Sequence, residues 1–138
     1  MILERYHKKH RALWDELIQQ APKGHFMFKR DYMDYHEKRF EDHSFIFKKK
    51  NRIVACFPAN LKDGVLHSHQ GLSFGGIIHV SELSVQDVEV ILDLILSDCR
   101  SFGIRSIRYK CIPEFYHTSS SEEDLYALYR MGFELYRR

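Results

Sequence analysis

The chain has 138 residues, 44% of them hydrophobic and 29% charged, with a formal net charge of +2 at pH 7. This balance fits one globular domain and excludes a disordered chain. So weak a net charge argues against DNA binding, which normally requires a strong basic stripe. The cysteines Cys56, Cys99 and Cys111 are odd in number and widely spaced. They indicate neither a disulfide framework nor a zinc knuckle and predict a reducing, cytoplasmic location.

The N-terminal part predicts two helices and no signal peptide or membrane span. Apolar residues recur at helical spacing from Leu3 to Gln20, and the expected inner face is Leu3, Tyr6, His10, Leu13, Trp14, Leu17 and Ile18. Pro22 and Gly24 end this helix. After a short extended or loop segment, Asp31 begins a second helix to about Phe40, with Tyr32, Tyr35 and His36 facing inward.

An antiparallel meander is predicted for residues 44–80. Its expected strands are Phe45–Phe47, Ile53–Phe57, Val65–Gln70 and Phe74–Val80. The basic run Lys48–Arg52 between the first two strands indicates a solvated hairpin turn, with a phosphate-binding patch as the alternative. Asp63-Gly64 is a second turn signal, and Pro58 limits strand pairing beside it.

Helices and strands alternate in the C-terminal part. Ser84 is a predicted N-cap answered by Asp87, and the helix that it begins ends at Phe102-Gly103. A strand from Ile104 to Ile112 follows, and neither of its faces is cleanly apolar. Ser119–Ser121 and the acidic residues after them then cap a helix that Gly132 ends. A last strand is expected over Phe133–Arg138.

This order of elements resembles the GNAT acyltransferase fold, as do residues 126–134, where a Leu-Tyr helix leads into Gly-Phe and a strand. A closer resemblance, to the N-terminal half of FemAB-like proteins, rests on Trp14-Asp15-Glu16 and on residues 30–40, 68–76, 109–113, 116–117 and 121–128. It implies one α/β (α+β) GNAT-like domain over residues 1–138, a central, mostly antiparallel mixed sheet flanked by helices. It also implies transfer of an acyl or aminoacyl group to an amine of a cell-envelope or surface-polysaccharide precursor.

The donor signature of GNAT enzymes is missing from its expected place. These enzymes hold the acetyl-CoA pyrophosphate at a helix N-terminus through a Gln/Arg-x-x-Gly-x-Gly/Ala loop. The corresponding residues, 80–84, contain no glycine and include Glu82, whose charge opposes a phosphate. Gln70–Gly76 looks similar but precedes a strand. No cofactor is therefore predicted for the isolated chain, and an acetyl-CoA or aminoacyl donor is implied only by the resemblance.

The candidate substrate-binding residues surround the turn before the predicted strand at Phe74; they are His67, His69, Gln70, Gly75, Gly76, Tyr116 and His117. The paired glycines indicate a bulge, the close approach of a ligand or second backbone, or a kink in a curved sheet. His67 and His69 share a strand face and could bind a metal with His117, but hydrogen-bonded polar residues are the favoured interpretation and no metal is assigned.

No catalytic residue is assigned from the sequence. Tyr129 stands one residue after the position of the GNAT catalytic tyrosine, so it is expected to pack rather than to donate a proton, and Tyr126 is the other candidate acid. Cys56 and Cys111 are expected to be inert core thiols.

Two functions remain open. The first is half of a transferase, with a small-molecule, sugar or peptide acceptor. The second is a non-catalytic binding or assembly domain of GNAT shape. GNAT domains end in a strand hairpin, of which Phe133–Arg138 would be only the first strand. An unpaired edge there predicts a homodimer or a second GNAT-like domain as partner, and a frayed tail is the alternative.

Overall fold

The structure is a computed structural model that describes residues 1–35, 38–72, 74–112 and 122–135. Its helices are α1 (Arg11–Gln20), α2 (Arg30–Asp34), α3 (Val85–Ser101) and α4 (Glu123–Arg130), with 3₁₀ turns at Lys8–His10 and Phe26–Phe28. Its strands are β1 (Ile2–Arg5), β2 (Glu41–Asp42), β3 (Phe45–Lys49), β4 (Arg52–Phe57), β5 (Asn60–Lys62), β6 (Val65–His67), β7 (Ile78–His79) and β8 (Ser106–Arg108).

These strands form two four-stranded sheets, in the orders β1-β3-β4-β7 and β2-β5-β6-β8. Among the described strands only β6 and β8 pair in parallel. One hairpin runs through both sheets, because Asp42 lies opposite Asn60 and Phe45 opposite Phe57 in the same register. The antiparallel pairing predicted for the meander is therefore confirmed, with a kink beside Pro58 where the hairpin passes from one sheet to the other, and the mixed, mostly antiparallel architecture is confirmed with it.

Both predicted hairpin turns are present. Lys50 and Asn51 have φ of 53° and 63°, and Asp63 and Gly64 have φ of 54° and 76°. Positive φ at both central residues defines the type I′ turn, whose twist matches that of paired strands. The basic run is thus a hairpin turn, as the sequence favoured.

The third segment of the meander is interrupted. β6 pairs with β5, and β7 pairs with β4. The predicted strands Val65–Gln70 and Phe74–Val80 are accordingly shorter, because the chain leaves the sheet after His67 and returns at Ile78. The residues between them form a loop at the kink.

The predicted first helix is wrong for its first residues. Ile2–Arg5 is a strand that pairs antiparallel with β3, and Leu3 lies opposite Phe47. Leu3 keeps its contact with the core from this strand, so local spacing alone did not distinguish strand from helix. In α1, Trp14 is buried as expected, whereas Leu13 is 52% exposed.

The predicted inner face of the second helix is also wrong. Helix α2 is shorter than expected, and it buries Arg30 and Met33. Tyr32 and Tyr35 are 41% and 85% exposed. His36 lies outside the described residues. The charged Arg30 faces inward because carboxylates meet it there, a pairing that a hydrophobic pattern does not reveal.

The C-terminal helices form largely where the sequence places them. Helix α3 begins after the predicted cap Ser84, and α4 covers most of the expected last helix, whereas the serines at 119–121 lie outside the described residues. Residues 133–135 are not in a strand, contrary to the prediction, and 136–138 are outside the described part of the chain.

The core is rich in aromatic side chains and is closed by the inner face of α3. Its largest fully buried members are Trp14, Phe28, Phe45, Phe47, Phe57, Ile46, Leu66, Ile77, Ile78, Ile91, Leu92 and Ile95. None of the described helices is long and apolar enough to cross a membrane.

Candidate functional site

The loop between β6 and β7 covers residues 68–77, of which Ser73 lies outside the description. His69 is only 4% exposed and has a φ of 49°. Its Nδ1 accepts a hydrogen bond from the Gly71 amide at 3.2 Å, and its ring meets Phe40 edge-on at 5.3 Å between centroids. His69 therefore shapes the loop from inside.

Gln70 is held at the surface of this loop by a reciprocal pair of hydrogen bonds with the buried Asn60. The backbone amide of Gln70 donates to Asn60 Oδ1 at 2.7 Å, and Asn60 Nδ2 donates to Gln70 Oε1 at 2.8 Å. The backbone and side chain of Gln70 are both positioned before any ligand arrives, as a binding group requires.

Lys110 ties the loop to the residues that follow β8. Its Nζ donates to the carbonyl oxygens of His69 at 3.2 Å and Leu72 at 2.8 Å. Its backbone N–H donates to Ser68 Oγ at 2.6 Å. Burial lowers the pKa of Lys110. The sequence did not single out Lys110, since its partners are backbone carbonyls without any residue signature.

The two glycines of the loop are explained by contacts within the chain. A Cβ at Gly75 would lie 2.4 Å from the Ser68 carbonyl oxygen. Gly76 has a φ of 102°, and a Cβ there would lie 2.8 Å from the Tyr109 hydroxyl. The close approach that the glycines permit is therefore to the chain itself.

A buried polar cluster joins α4 to the residues next to β7 and β8. The Tyr109 hydroxyl accepts from the Ile77 amide at 2.7 Å and donates to Asp124 Oδ2 at 2.6 Å. Asp124 Oδ1 in turn pairs with Lys23 Nζ at 2.5 Å. Burial, with the charge of Asp124, raises the pKa of Tyr109 well above its usual range. Protein side chains thus fill the space between the end of β8 and the start of β7.

The start of α3 is occupied by the chain's own groups. Ser84 Oγ accepts from the Asp87 amide at 3.2 Å, and Asp87 Oδ2 accepts from the Ser84 amide at 3.0 Å. Asp87 Oδ1 also lies 3.1 Å from Lys49 Nζ, and Glu82 lies 3.8 Å from Arg52. The Ser84 amide lowers the pKa of Asp87, so this carboxylate is ionised at neutral pH. The Ser84 and Asp87 amides are therefore already bonded, and a phosphate at this helix end would meet the Asp87 carboxylate.

His67 and His69 do not share a strand face as expected, because β6 ends at His67 and His69 follows with positive φ. His67 is half-buried, opposite Asn60 in β5 and Arg108 in β8. No three His, Cys, Asp or Glu side chains of the described residues form a group that could hold a metal. Tyr116 and His117 lie outside the described residues, so their place beside Gln70 stays a prediction.

Two expectations about side-chain packing are wrong. Tyr129 is 80% exposed and Tyr126 52%, because α4 buries Asp124, Ala127 and Leu128 instead. Cys111 is exposed beyond the end of β8. Cys56 is buried as expected, and burial raises the pKa of its thiol.

No protein-family model matches the chain, and no curated protein matches it. Solved structures do share its fold. The aminoglycoside N-acetyltransferase AAC(6')-Iy in complex with CoA superposes with a TM-score of 0.65 at 16% identity, covering 99% of this chain and 90% of that chain. TTHA1254 (wild type) from Thermus thermophilus gives 0.63 at 15%, covering 100% and 92%. The apo aminoglycoside antibiotic 6'-N-acetyltransferase AAC(6')-IG from Acinetobacter haemolyticus gives 0.60 at 11%, covering 100% and 94%. The chain therefore has the GNAT fold.

Proposed function

We propose that this chain is the acceptor-binding half of an acyl or aminoacyl transferase that acts on an amine of a cell-envelope or surface-polysaccharide precursor. The observation that carries the proposal is the contrast between the start of α3 and the loop at residues 68–77. The start of α3, where a GNAT domain would hold a donor phosphate, is capped by Ser84 and Asp87. The loop at residues 68–77 presents a fixed polar side chain at the surface. AAC(6')-Iy, which has the same fold, was solved with CoA bound.

The loop has groups suited to an amine acceptor. Burial and neighbouring cations lower the pKa of His67, so its imidazole is neutral at physiological pH. A neutral imidazole can accept the proton that an acceptor amine loses as its nitrogen bonds to the acyl carbon. Gln70 orients the acceptor by hydrogen bonding, and His69, Gly75 and Gly76 shape the loop. Tyr116 and His117 belong to this proposed site by the sequence resemblance alone.

Isothermal titration with acetyl-CoA tests the donor side of the proposal. The chain should show weak binding or none, because Glu82 and Asp87 carry negative charge to the helix start. The paired variant Glu82→Gly with Asp87→Ala removes both charges and should bind the donor more tightly. Micromolar affinity of the unaltered chain would overturn the proposal.

NMR titration with D-glucosamine and with a lysine-containing dipeptide tests the acceptor side. We expect shifts confined to the loop at residues 68–77 and to His67. Gln70→Ala should abolish them, whereas Gln20→Ala, which removes an exposed glutamine of α1, should not. Equal effects of the two substitutions would contradict an acceptor site at Gln70.

A second GNAT-like domain or a different partner chain supplies the donor site in this proposal, whereas a second copy of this chain would have the same capped α3 and could take only the structural place of that domain. The sequence predicted a homodimer from an unpaired strand edge over Phe133–Arg138. The described residues of that segment, 133–135, are not in a strand and do not support this argument. A copy would then contact the face around the meander. Sedimentation at micromolar concentration tests for the second copy, because a single species near 16.5 kDa excludes a homodimer.

The second candidate is a non-catalytic binding domain, and the buried Tyr109 hydroxyl favours it. That hydroxyl already accepts a hydrogen bond from the Ile77 amide, next to β7. A thiol-release assay on the Glu82→Gly, Asp87→Ala variant with acetyl-CoA and glucosamine distinguishes the candidates. A transferase half should release thiol slowly and lose this activity with Gln70→Ala, whereas a binding domain should release none.

A further inference from the structure

A cavity of about 300 Å³ lies between helix α1 and the hairpin of β3 and β4. Small-molecule sites commonly have volumes of about 300–1,000 Å³, so this cavity has room for a small ligand. None of the described residues that line it belongs to the loop at residues 68–77, and it is therefore separate from the candidate site above. Its apolar lining consists of Leu13, Leu17, Ile53 and Val80.

A β-bulge in the hairpin builds one wall of this cavity. The register shifts by one residue beside Lys48, which lies opposite Ile53, and Val54 is the extra residue. Paired residues share a face of a sheet, so Ile53 lies on the same face as Lys48, and both line the cavity. The Val54 carbonyl accepts from the Val80 amide at 2.9 Å, which holds a third lining residue in place. Bulges re-aim side chains and are over-represented next to active sites.

Helix α1 forms the opposite wall. Leu13 and Leu17 are four residues apart, as are Glu16 and Gln20, so each pair lies along one line of the helix surface. Leu17 is buried, whereas Leu13 is half exposed. The exposure of Leu13, which the sequence did not predict, gives the cavity an apolar side chain that a ligand can cover. Gln20 Nε2 lies 3.4 Å from Glu16 Oε1 and orients this carboxylate beside it.

The two walls carry opposite charges. Glu16 is the acidic residue of the α1 wall, and Lys48 and Arg52 are the basic residues of the hairpin wall. Lys48 Nζ is paired with Glu4 at 2.7 Å, so its ammonium group is already engaged. Arg52 has one contact of 3.8 Å with Glu82, and both side chains of that pair are exposed. Exposed pairs contribute little, and a guanidinium has five N–H donors, so Arg52 retains donors for a ligand.

We infer that this cavity binds a free α-amino acid with an apolar side chain, such as leucine. The carboxylate of the amino acid pairs with Arg52, whose planar guanidinium can donate to both oxygens. Its ammonium group pairs with Glu16 on the opposite wall. Its side chain covers Leu13 and removes apolar surface from water. A carboxylate alone or an amine alone matches only one of the two walls, so the charges favour a zwitterion. This inference does not depend on the proposed function.

NMR titration of the unaltered chain with L-leucine tests the inference. We expect amide shifts at residues 13–20 and 51–53 and none in the loop at residues 68–77. Two analogues of leucine separate the contacts, because 4-methylpentanoic acid lacks the ammonium group and 3-methylbutylamine lacks the carboxylate. Each analogue should bind about tenfold more weakly, which is the loss of one charge-assisted contact. Glycine, which has no apolar side chain, should also bind more weakly.

Charge-neutral variants then assign the two ionic contacts. Glu16→Gln and Arg52→Gln should each weaken leucine binding by about tenfold. Lys50→Gln removes a charge at the tip of the same hairpin outside the cavity lining, so it is the matched control and should bind as the unaltered chain does. All three positions are exposed, so these substitutions should leave the fold intact.

Three results would overturn the inference. The first is the absence of leucine binding at millimolar concentration. The second is an equal affinity for leucine and 4-methylpentanoic acid. The third is an equal affinity of the Arg52→Gln and Lys50→Gln variants for leucine.

Discussion

At the scale of single residues, Arg30 is a buried charge that two carboxylates and two aromatic rings stabilise. It is 2% exposed, and its Nη2 lies 2.7 Å from Asp34 and also bonds Asp42. Its guanidinium lies 3.8 Å above the Tyr6 ring and 5.0 Å from the Trp14 ring. Burial disfavours the charge, but the two carboxylates outweigh it and raise the pKa of Arg30. Arg30 therefore joins α2 to the kink of the sheet.

The ion pair between Lys23 and Asp124 is expected to be the most sensitive polar contact of the fold. Asp124→Asn leaves the buried ammonium without a counter-charge and should cost about 3–5 kcal/mol of unfolding free energy. Adding Lys23→Met to that variant removes the stranded charge and should recover part of the loss. Urea denaturation of the single and double variants measures this coupling. Strictly additive losses would show that the two groups do not depend on each other.

These buried charges explain much of what the sequence patterns did not reveal. Lysine and arginine are almost always surface residues, so nothing local marks Lys23 or Arg30 as internal. Their partners are distant in the chain, since Lys23 and Asp124 are separated by 101 positions and Arg30 and Asp42 by 12. The aromatic core, by contrast, is visible in composition alone.

At the scale of elements, the sequence predicted those features that are stabilised by residues close together in the chain. The capping box of Ser84 and Asp87 and the turn at Asp63-Gly64 each involve residues within a few positions of one another, and both were predicted. β1 could not be found this way, because Ile2–Arg5 becomes a strand only by pairing with Phe45–Lys48. The candidate site divides similarly: Gln70 was proposed from the sequence, whereas Lys110 was not, because it acts through backbone oxygens far along the chain.

The cap of α3 should contribute measurably to stability. Ser84→Ala removes the oxygen that accepts from the Asp87 amide and should cost about 1 kcal/mol of unfolding free energy. Ser101→Ala, at the other end of the same helix, removes only an exposed contact with the Ser97 carbonyl and should stay within about 0.5 kcal/mol. Thermal or urea unfolding compares the two serines. An equal cost would mean that the capping box does not stabilise the helix start.

At the scale of the whole molecule, the kink of the sheet creates the candidate site. The segment that contains β4 and β5 passes from one sheet to the other between Ala55 and Asn60. The neighbouring segment, which contains β6 and β7, needs all the residues from His67 to His79 for the same step. The extra residues form the loop, and the two glycines let it pack against the chain. Sequence patterns indicated a turn there, but its size follows from the register of the neighbouring strands, which only the folded molecule defines.

Burial of histidines also makes stability depend on pH. Burial is the first cause that lowers the pKa of three of them, below the value of 6.5 expected when unfolded: His10, His43 and His67. These groups are neutral in the folded chain at a pH where the unfolded chain begins to bind protons. The unfolded state therefore gains stability first as the solution is acidified. Carboxylates with lowered pKa, such as Asp42, act in the same direction only at more acidic pH.

We therefore expect the unfolding free energy to fall as the pH is lowered from about 7.5 to about 5.5, well before the carboxylates titrate. The sign follows from the lowered histidine pKa values: the stabilising difference is complete above the unfolded pKa and is lost as pH falls through it. His43→Phe should reduce the slope, because His43 is packed between Phe45 and Phe102 and takes up its proton mainly when the chain unfolds. Urea denaturation at several pH values under reducing conditions measures the profile. A flat profile over this range, or an unchanged slope in His43→Phe, would contradict the assignment of these buried histidines as the acid-sensitive groups.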